Sequence, residues 1–517
     1  MIFLFIITSA SLCTIAVQSA VIDKPGFDRF EDISVNAIRL KHELSKEYYF
    51  KNGKEFVAQQ IRKKRNLNTN IAKNAILFLG DGMSIPCLAA TRIYMGGEEK
   101  QLSFEKFPFV GMSKTYCVNE QVADSACTST AYLSGVKANY GTIGVNAKVP
   151  RSHCSASNDE STHTESIAQW ALNAGKSVGL VTTTRVTHAS PAGVYAHTSE
   201  RDWESNADIQ ASQCDEAKID DIAQQLIHGK VGKRLSVIFG GGRANFLNNT
   251  EPEGRRTDGK NLIREWLNSA EPGMNRTYVS DKAGLLSIHP KENESFLGLF
   301  TPSHVDFNYK VDGISDTIPT LSEMTMKAIE ILKTNPKGFF LFMEAGKIDI
   351  ALHENQAHIA LDETVEFSKS IQLATDMSID DTLFVATADH SRNKYTERHL
   401  ARGSNAFGVG GRSGIDHKPY LKLSFANGMG YNNHVSNTSI DRMDPVMMSV
   451  NDFEFLSPAT VPRKKETHGG EDVGIYAIGP HAHLFTGTIE QNVIPHYMAY
   501  ALCIGPGHTA CKTRNTS

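Results

Sequence analysis

The chain has 517 residues, of which 40% are hydrophobic, so it can bury one large core or two moderate ones. Its 53 basic and 57 acidic residues give a formal net charge of −4. A balance this close to zero gives no electrostatic reason to expect a nucleic acid or a membrane surface as the main partner, and both classes are set aside.

The first 20 residues are apolar and carry no charged side chain, and small residues precede Val21. We expect residues 1–20 to be a secretory signal peptide, although the usual basic start is missing. An N-terminal membrane anchor is the alternative, and the shortness of the apolar run argues against it. A basic run at 62–65 is interpreted as a solvated helix end, with a propeptide cleavage site as the alternative.

Other features fit a secreted, extracellular chain. Glycosylation sequons occur at five positions: Asn248, Asn275, Asn293, Asn437 and Asn515. Seven cysteines remain once Cys13 leaves with the signal peptide, so at least one stays unpaired within the chain. The polar end of the chain lacks the hydrophobic tail of a glycolipid anchor signal, so no membrane anchor is predicted.

Short apolar runs recur along the chain between longer amphipathic or loop stretches, at 75–79, 177–182, 235–239, 339–343, 382–386 and 474–478. Nearly continuous apolar strands that alternate with helices are typical of a mostly parallel sheet covered on both faces. Residues 398–465 break this rhythm, because they are rich in Gly, Asn, Ser and Pro. We therefore predict one large α/β domain over residues 21–517, with a small inserted lobe at about 398–465.

Carboxylates and imidazoles follow three of these runs: Asp81 after the first, Glu344, Asp349 and His353 after the fourth, and Asp389 and His390 after the fifth. In open α/β sheets, ligands bind beyond the carboxyl ends of the strands, so these side chains should meet at one rim. Histidine with carboxylate oxygen suits zinc, whereas an all-oxygen set suits magnesium. A single pair could be an ordinary hydrogen bond, but several pairs at corresponding strand ends indicate a metal site.

Ser125 is the candidate nucleophile. It stands in the segment DSACTSTA (124–131), where small residues predict the start of a helix. A phosphoryl group on this serine would face the positive end of the helix dipole and free backbone N–H groups. An ordinary helix cap is the alternative. No Gly-x-Ser-x-Gly elbow surrounds Ser125, which argues against a Ser-His-Asp hydrolase.

Seven blocks of sequence, in this order, resemble the signature blocks of animal alkaline phosphatases: GDGMS (80–84), DSACTSTAYLSGVK (124–137), VTTTRVTHASPAGVYAH (181–197), FGGGR (239–243), DGKNLIREWL (258–267), TADHS (387–391) and ETHGGEDV (466–473). The resemblance covers residues 70 to 511, nearly the whole mature chain. It implies an enzyme that hydrolyses small phosphate monoesters through a covalent phosphoserine on Ser125.

The resemblance also implies two zinc ions and one magnesium ion, with these ligands: Asp349, His353 and His468 for the first zinc; Asp81, Asp389, His390 and the Ser125 oxygen for the second; and Asp81, Ser190 and Glu344 for magnesium. His188 would lie beside the magnesium. Arg201 matches the arginine that grips two phosphate oxygens, a contact that suits the planar guanidinium group.

Family members pair cysteines at the positions of Cys154–Cys214 and Cys503–Cys511, which leaves Cys87, Cys117 and Cys127 unassigned. They are typically homodimers in which the inserted lobe lies near the dimer axis. The resemblance therefore implies two disulfide bonds and a homodimer for this chain.

The chain departs from the family pattern beside the proposed first zinc. Ile350, Leu352 and Arg392 stand where the family usually has histidines, and changes around metal ligands can cost about 10–100-fold in metal affinity or activity. Thr301 and Ile318 replace carboxylates of the calcium site of vertebrate relatives, so no calcium ion is predicted.

Two other functions remain as alternatives. One is a binding protein on the same scaffold, with activity reduced by the changes around the first zinc. The other is a phosphodiesterase or sulfatase of the same superfamily. Retention of Ser125, Arg201 and every implied metal ligand argues against both.

Overall fold

The computed structural model describes residues 67–270, 273–378, 381–392, 394–396, 406–435 and 441–513, together with residues 51, 54 and 55. The predicted signal peptide, the basic run 62–65 and the sequons at Asn437 and Asn515 lie outside these residues, as does part of the predicted lobe.

The strands are, in chain order, β1 (Asn74–Gly80), β2 (Phe109–Lys114), β3 (Ser177–Arg185), β4 (Val237–Gly241), β5 (Asn275–Val279), β6 (Glu294–Leu299), β7 (Phe339–Ala345), β8 (Thr382–Thr387), β9 (Ser391–Arg392), β10 (Lys394–Thr396), β11 (Val409–Arg412), β12 (Pro419–Leu421), β13 (Leu423–Gly428), β14 (Ala459–Pro462), β15 (His468–Gly469), β16 (Val473–Ile478) and β17 (Gly487–Glu490).

The helices are α1 (Ile85–Tyr94), α2 (Ser125–Ser134), α3 (Ile167–Asn173), α4 (Ala189–Ala192), α5 (Asn206–Ala211), α6 (Ile222–His228), α7 (Leu262–Asn268), α8 (Lys282–Leu286), α9 (Asn308–Val311), α10 (Leu321–Leu332), α11 (Lys347–His353), α12 (Ala357–Ser378), α13 (Ile494–Leu502) and α14 (Ala510–Thr513). None of these helices, in the part of the chain that the structure describes, is long and apolar enough to cross a membrane.

Ten strands form one sheet in the order β17-β2-β16-β8-β1-β7-β3-β4-β6-β5. The strands from β8 across to β5 are parallel, while β16 runs antiparallel to both β8 and β2. The predicted α/β class with a mostly parallel central sheet is confirmed, and the six apolar runs are β1, β3, β4, β7, β8 and β16.

Both faces of the sheet are buried, which explains why its central strands are apolar throughout. In β1, Leu77 and Leu79 pack into one hydrophobic cluster with helices α3 and α6, while Ile76 and Phe78 pack into another with α10 and α12. Because successive side chains of a strand point to opposite faces, a strand covered on both sides shows no polar alternation.

The described residues of the predicted insertion form small sheets, one of which also includes β10, just before the insertion. Strands β10, β13 and β14 make one sheet, and β11 pairs with β12 in another. These strands do not join the ten-stranded sheet. Large apolar side chains of this region face solvent, with Ile415 93% and Met447 86% exposed.

The structure contains three disulfide bonds among the described cysteines: Cys117–Cys127, Cys154–Cys214 and Cys503–Cys511. The last two are the pairs that the resemblance implies, and the first joins two of the cysteines left unassigned. Cys87 is the remaining described cysteine and is a buried thiol, in line with the odd number of cysteines after residue 20. Of the described sequons, Asn275 and Asn293 are exposed and Asn248 is half-buried.

Candidate active site

Four neighbouring strands, β8, β1, β7 and β3, deliver polar side chains to one edge of the central sheet. Asp81 directly follows β1, Asp389 follows β8, and Glu344 stands near the end of β7. The register pairs Leu79 of β1 with both Glu344 and Thr387, so the three strands end at the same level. The strand register therefore brings these residues together at one rim, as the sequence predicts.

The side chains form three overlapping clusters whose ligand atoms lie within 4.8 Å of one another: Asp349 with His390 and His468, Asp81 with Asp389 and His390, and Asp81 with His188 and Glu344. His353, one helical turn after Asp349 on α11, joins the first cluster, with its Nε2 atom 3.3 Å from Asp349 Oδ2. Ser190, at the start of α4, is buried beside Glu344.

Negative charge is concentrated here with little compensation. Burial raises the pKa of Asp81 well above its ordinary value, and the carboxylates of Asp349, Asp389 and Glu344 add to the effect. Burial likewise raises the pKa of Glu344 to about 7. Within the described structure, both carboxylate oxygens of Asp81 and Oε1 of Glu344 are buried and accept no hydrogen bond. Such a group of buried oxygens fits divalent cations.

The histidines His468 and His353 of the first cluster are half-buried, which favours the uncharged imidazole that can bind a metal ion. Burial lowers the pKa of His468 well below its ordinary value, and the neighbouring His390 ring lowers it further. The Nδ1 atoms of His468 and His353 lie 2.6 Å and 2.7 Å from the carbonyl oxygens of Ala123 and Glu466. A proton on Nδ1 of His468 donates to its carbonyl partner and leaves Nε2 for a metal ion, so this imidazole fits zinc. Nδ1 of His353 lies 2.9 Å from the NH1 group of Arg392 as well.

Ser125 is the first residue of α2 and is buried at the centre of the rim. Its Oγ atom lies 3.2 Å from Nε2 of His390. The cap of α2 is Asp124, whose side chain accepts a hydrogen bond from Cys127 N, so Ser125 is free of the capping role considered above. The nucleophile candidate therefore stands inside the first helical turn, where unpaired backbone N–H groups point outward.

Arg201 is held beside Ser125 by Asp124. Its NH1 group donates to Asp124 Oδ2 at 2.9 Å, and its NH2 group lies 3.2 Å from His188 Nε2. Burial alone would lower the pKa of Arg201, but the carboxylates of Asp124 and Asp202 raise it above its ordinary value. A permanent, half-buried cation thus lies at the mouth of the site, in position to bind an anion.

Arg392 is a second buried cation, and it contacts the first cluster directly. Its Nε atom donates to Asp349 Oδ1 at 2.5 Å, and its NH1 group donates to Glu466 Oε2 at 2.7 Å. The side chain is fully buried. Although burial opposes it, the charge of Arg392 holds the pKa of Asp349 well below its ordinary value, with His353 adding to the effect.

The structure also places the other two departures from the family pattern. Leu352 is buried in the hydrophobic cluster beneath α11, and Ile350 is half-buried on the same helix. Sequence reasoning missed Thr182 and Thr184, whose hydroxyls donate to Glu344 Oε2 at 2.5 Å and 3.2 Å. Their spacing of two residues along β3 was a signal that both face the same side of the strand.

The chain is similar in sequence to known proteins. The family profile described as "Alkaline phosphatase" matches residues 72–504. The chain is 44% identical over 458 residues to a membrane-bound alkaline phosphatase of Bombyx mori, covering 86% of this chain and 82% of that protein. It is 45% identical over 461 residues to an alkaline phosphatase of Gadus morhua, covering 85% and 94%.

A solved structure shares the fold. It is a variant of the alkaline phosphatase from the Antarctic bacterium TAB5, with Mg bound in its M3 site. The TM-score is 0.60 at 21% identity, and the match covers 85% of this chain and 100% of the bacterial chain.

Proposed function

The chain belongs to the alkaline phosphatase family and is a metal-dependent hydrolase of phosphate monoesters. We propose that its reaction passes through a covalent phosphoserine on Ser125. The observation that carries the proposal is the position of Ser125 Oγ. It lies at the start of α2, 3.2 Å from His390 Nε2 and next in sequence to Asp124, which holds Arg201.

Three metal ions are proposed, and this chain's residues divide among them by donor type: Asp349, His353 and His468 would hold the first zinc, Asp81, Asp389, His390 and Ser125 the second, and Asp81, Ser190 and Glu344 the magnesium. The lowered pKa values of His468 and His353, caused first by burial, and the mutual repulsion of the carboxylates around Asp81 support the binding of cations here. Bound metal ions would lower the pKa of coordinated oxygen groups and neutralise charge on the attacking and leaving oxygens.

The side chains of the rim position the phosphoryl group. Arg201 would bind two phosphate oxygens through its guanidinium, since Asp124 and His188 fix the orientation of that group. The first turn of α2 adds backbone N–H groups, which stabilise negative charge on a phosphorylated Ser125. Catalysis is then mostly positioning and charge stabilisation, so the alcohol that leaves can vary widely.

Two displacements complete the reaction. In the first, Ser125 Oγ loses its proton and bonds to phosphorus as the bond from phosphorus to the leaving oxygen breaks, and the leaving oxygen takes up a proton to become the alcohol. In the second, a water oxygen bonds to phosphorus as the serine ester bond breaks, which releases phosphate. One proton of the water restores the Ser125 hydroxyl, and the other ends on phosphate or solvent.

The first test is hydrolysis of para-nitrophenyl phosphate from pH 7 to 10.5 by the purified chain, with zinc and magnesium supplied. We expect activity at alkaline pH that a chelator abolishes and that zinc with magnesium restores, because the buried carboxylates and imidazoles of the rim require cations. A diester and a sulfate ester of the same phenol should be hydrolysed far more slowly. Absence of phosphate release from folded, zinc-loaded protein would instead support a binding protein.

Magnesium binding is expected to depend on pH. Because burial raises the pKa of Glu344 to about 7, a cation must displace a proton from this carboxyl at lower pH. The affinity of the metal-free protein for magnesium should fall by at least about tenfold per pH unit below about pH 7, because the pKa of Asp81, the other proposed carboxylate ligand, is also raised. Calorimetric titration between pH 5.5 and 8.5 measures this dependence.

Glu344→Gln provides the control for the magnesium titration, since it removes the ionisable group while keeping the shape of the side chain. This variant should bind magnesium weakly at every pH. Equal magnesium affinity of the wild type at pH 5.5 and 8.5 would contradict the assignment of Glu344 as a ligand.

We also propose that the mature chain is a secreted, glycosylated homodimer. The apolar start of the sequence, the three disulfide bonds and the exposed sequons Asn275 and Asn293 support the extracellular location. The exposed Ile415 and Met447 of the inserted lobe support an interface there. Light scattering of the secreted protein, before and after glycosidase treatment, tests glycosylation and dimerisation. A monomer whose mass does not change on treatment would refute both of these properties.

A further inference from the structure

The nucleophile lies inside a covalent ring. Cys117, just after β2, is bonded to Cys127 in the first turn of α2, and the ring of residues 117–127 that they close contains Ser125. Both cysteines are buried, 3% and 2% exposed. The catalytic proposal makes no use of this disulfide bond.

Residues of this ring contact functional groups outside it. Oδ1 of Asp124 accepts hydrogen bonds from Cys127 N at 3.3 Å and Gly141 N at 3.0 Å, while its Oδ2 accepts from Arg201. The carbonyl oxygen of Ala123 accepts from Nδ1 of His468 at 2.6 Å. The orientation of Ser125, of Arg201 and of His468 therefore depends on the same short segment.

Noncovalent packing gives this segment little support of its own. Residues 118–122 are all exposed, with Val118 53% and Val122 41% accessible to solvent. The hydrophobic cluster beneath the ring is small: it consists of Cys117, Ala123, Cys127 and Ala138, with Tyr140 packed against it. Exposed loops with few apolar contacts open locally at low free-energy cost, so the disulfide bond adds a covalent constraint to the hydrogen bonds that Val118 N donates to Ala138 O and Tyr140 N donates to Asn119 Oδ1.

We infer that the Cys117–Cys127 disulfide bond is a positioning device for the active site, which holds Ser125, the Arg201 guanidinium and the His468 ring in mutual register. This inference rests on the roles proposed for those three residues. Loss of the bond would let residues 117–124 open, and the shift would pass through Asp124 to Arg201 and through Ala123 to His468. A displacement of about 1 Å at such groups can cost about 10²-fold in rate, so a partial loosening should cost about tenfold.

The test compares two cysteine-pair variants. Cys117→Ala/Cys127→Ala opens the ring around Ser125, whereas Cys503→Ala/Cys511→Ala removes the C-terminal disulfide bond, which closes a ring of similar length, with a separation of 8 against 10 residues. At a temperature well below both melting temperatures, the first variant should lose about tenfold in kcat/KM. Its inhibition constant for inorganic phosphate should rise by a similar factor, and the second variant should change in neither quantity.

Several outcomes would overturn the inference. A folded Cys117→Ala/Cys127→Ala variant with a lower melting temperature but unchanged kcat/KM and phosphate inhibition would show a purely stabilising bond. An equal loss of activity in both variants would show a general effect of disulfide removal. If the wild type is itself inactive, the proposed function fails and the inference is tested by phosphate affinity in calorimetry instead. Equal phosphate affinity of the wild type and the Cys117→Ala/Cys127→Ala variant would then overturn it.

If the double variant does not fold, hydrogen exchange on the wild type before and after reduction replaces it. The amides of Cys127 and Gly141, which donate to Asp124, should exchange faster once the bond is reduced, while those of the central sheet should not change. Unchanged exchange at both amides after complete reduction of Cys117–Cys127 would contradict the inference.

Discussion

Replacing Ser125 with alanine is expected to lower kcat by about 10⁴-fold or more and to abolish the phosphoenzyme, because the alanine side chain offers no oxygen to bond phosphorus. The fold should be unaffected, since Asp124, and not Ser125, caps α2. Steady-state hydrolysis of para-nitrophenyl phosphate gives the loss of rate. Acid quenching during turnover, followed by mass spectrometry of the peptide that contains residue 125, detects the serine ester.

Ser129→Ala is the matched control, because Ser129 is buried on the same helix one turn later and donates only to Ala126 O at 2.8 Å. It should keep near wild-type kcat and accumulate the same phosphoserine on residue 125. Both variants should bind zinc in wild-type amounts at the first site. A Ser125→Ala variant that still turned over at more than a few per cent of the wild-type rate would refute the covalent mechanism.

The sequence predicts the centre of the fold well because the central strands are buried on both faces. Nearly continuous apolar runs such as 75–79 are buried on alternate sides, with Leu77 in one cluster and Phe78 in the other, which requires a sheet covered on both faces. The polar residues that end these runs, such as Asp81 and Asp389, are then placed at the rim by strand register alone. Long-range packing was not needed to find most of the candidate site.

The edges of the sheet were not predicted, for the opposite physical reason. Strand β2 is Phe109–Lys114, and only Gly111 and Ser113 of it are buried, while β17 has no buried residue. Neither contains an apolar run: β2 forms by pairing with β16, and β17 forms by pairing with β2. Strand pairing of this kind depends on distant partners and leaves no local pattern.

The Cys117–Cys127 bond and the ion pairs of Arg392 could not be predicted from the sequence. Cys117 and Cys127 have no special spacing, and their pairing follows from the way β2 leads back to α2. The position of Arg392 was noticed only through the family resemblance. Its ion pairs with Asp349 and Glu466 depend on three segments that meet through the short pairing of β9 with β15.

These ion pairs of Arg392 bear on the affinity of the proposed first zinc site. Asp349 would share its charge between the proposed zinc ion and the guanidinium of Arg392, whose Nε atom donates to Oδ1. Two unit charges about 4 Å apart interact by about 4 kcal/mol at an effective dielectric constant of about 20. Glu466 offsets part of the repulsion between Arg392 and a dication, and arginine cannot lose its proton to relieve the rest.

Arg392→His is therefore expected to raise the zinc affinity of the first site by about 10–100-fold. Histidine can still donate a hydrogen bond to Asp349, but it can release its proton when a dication arrives. Competition between the metal-free protein and a zinc chelator of known affinity measures the change, without reference to activity. Arg392→Lys is the control: lysine is positively charged at a higher pH than histidine and releases its proton less readily, so its gain should be much smaller. If the histidine variant is folded and binds zinc no more tightly than the wild type, the charge of Arg392 does not oppose the metal ion, and its role is then to neutralise Glu466 and orient Asp349.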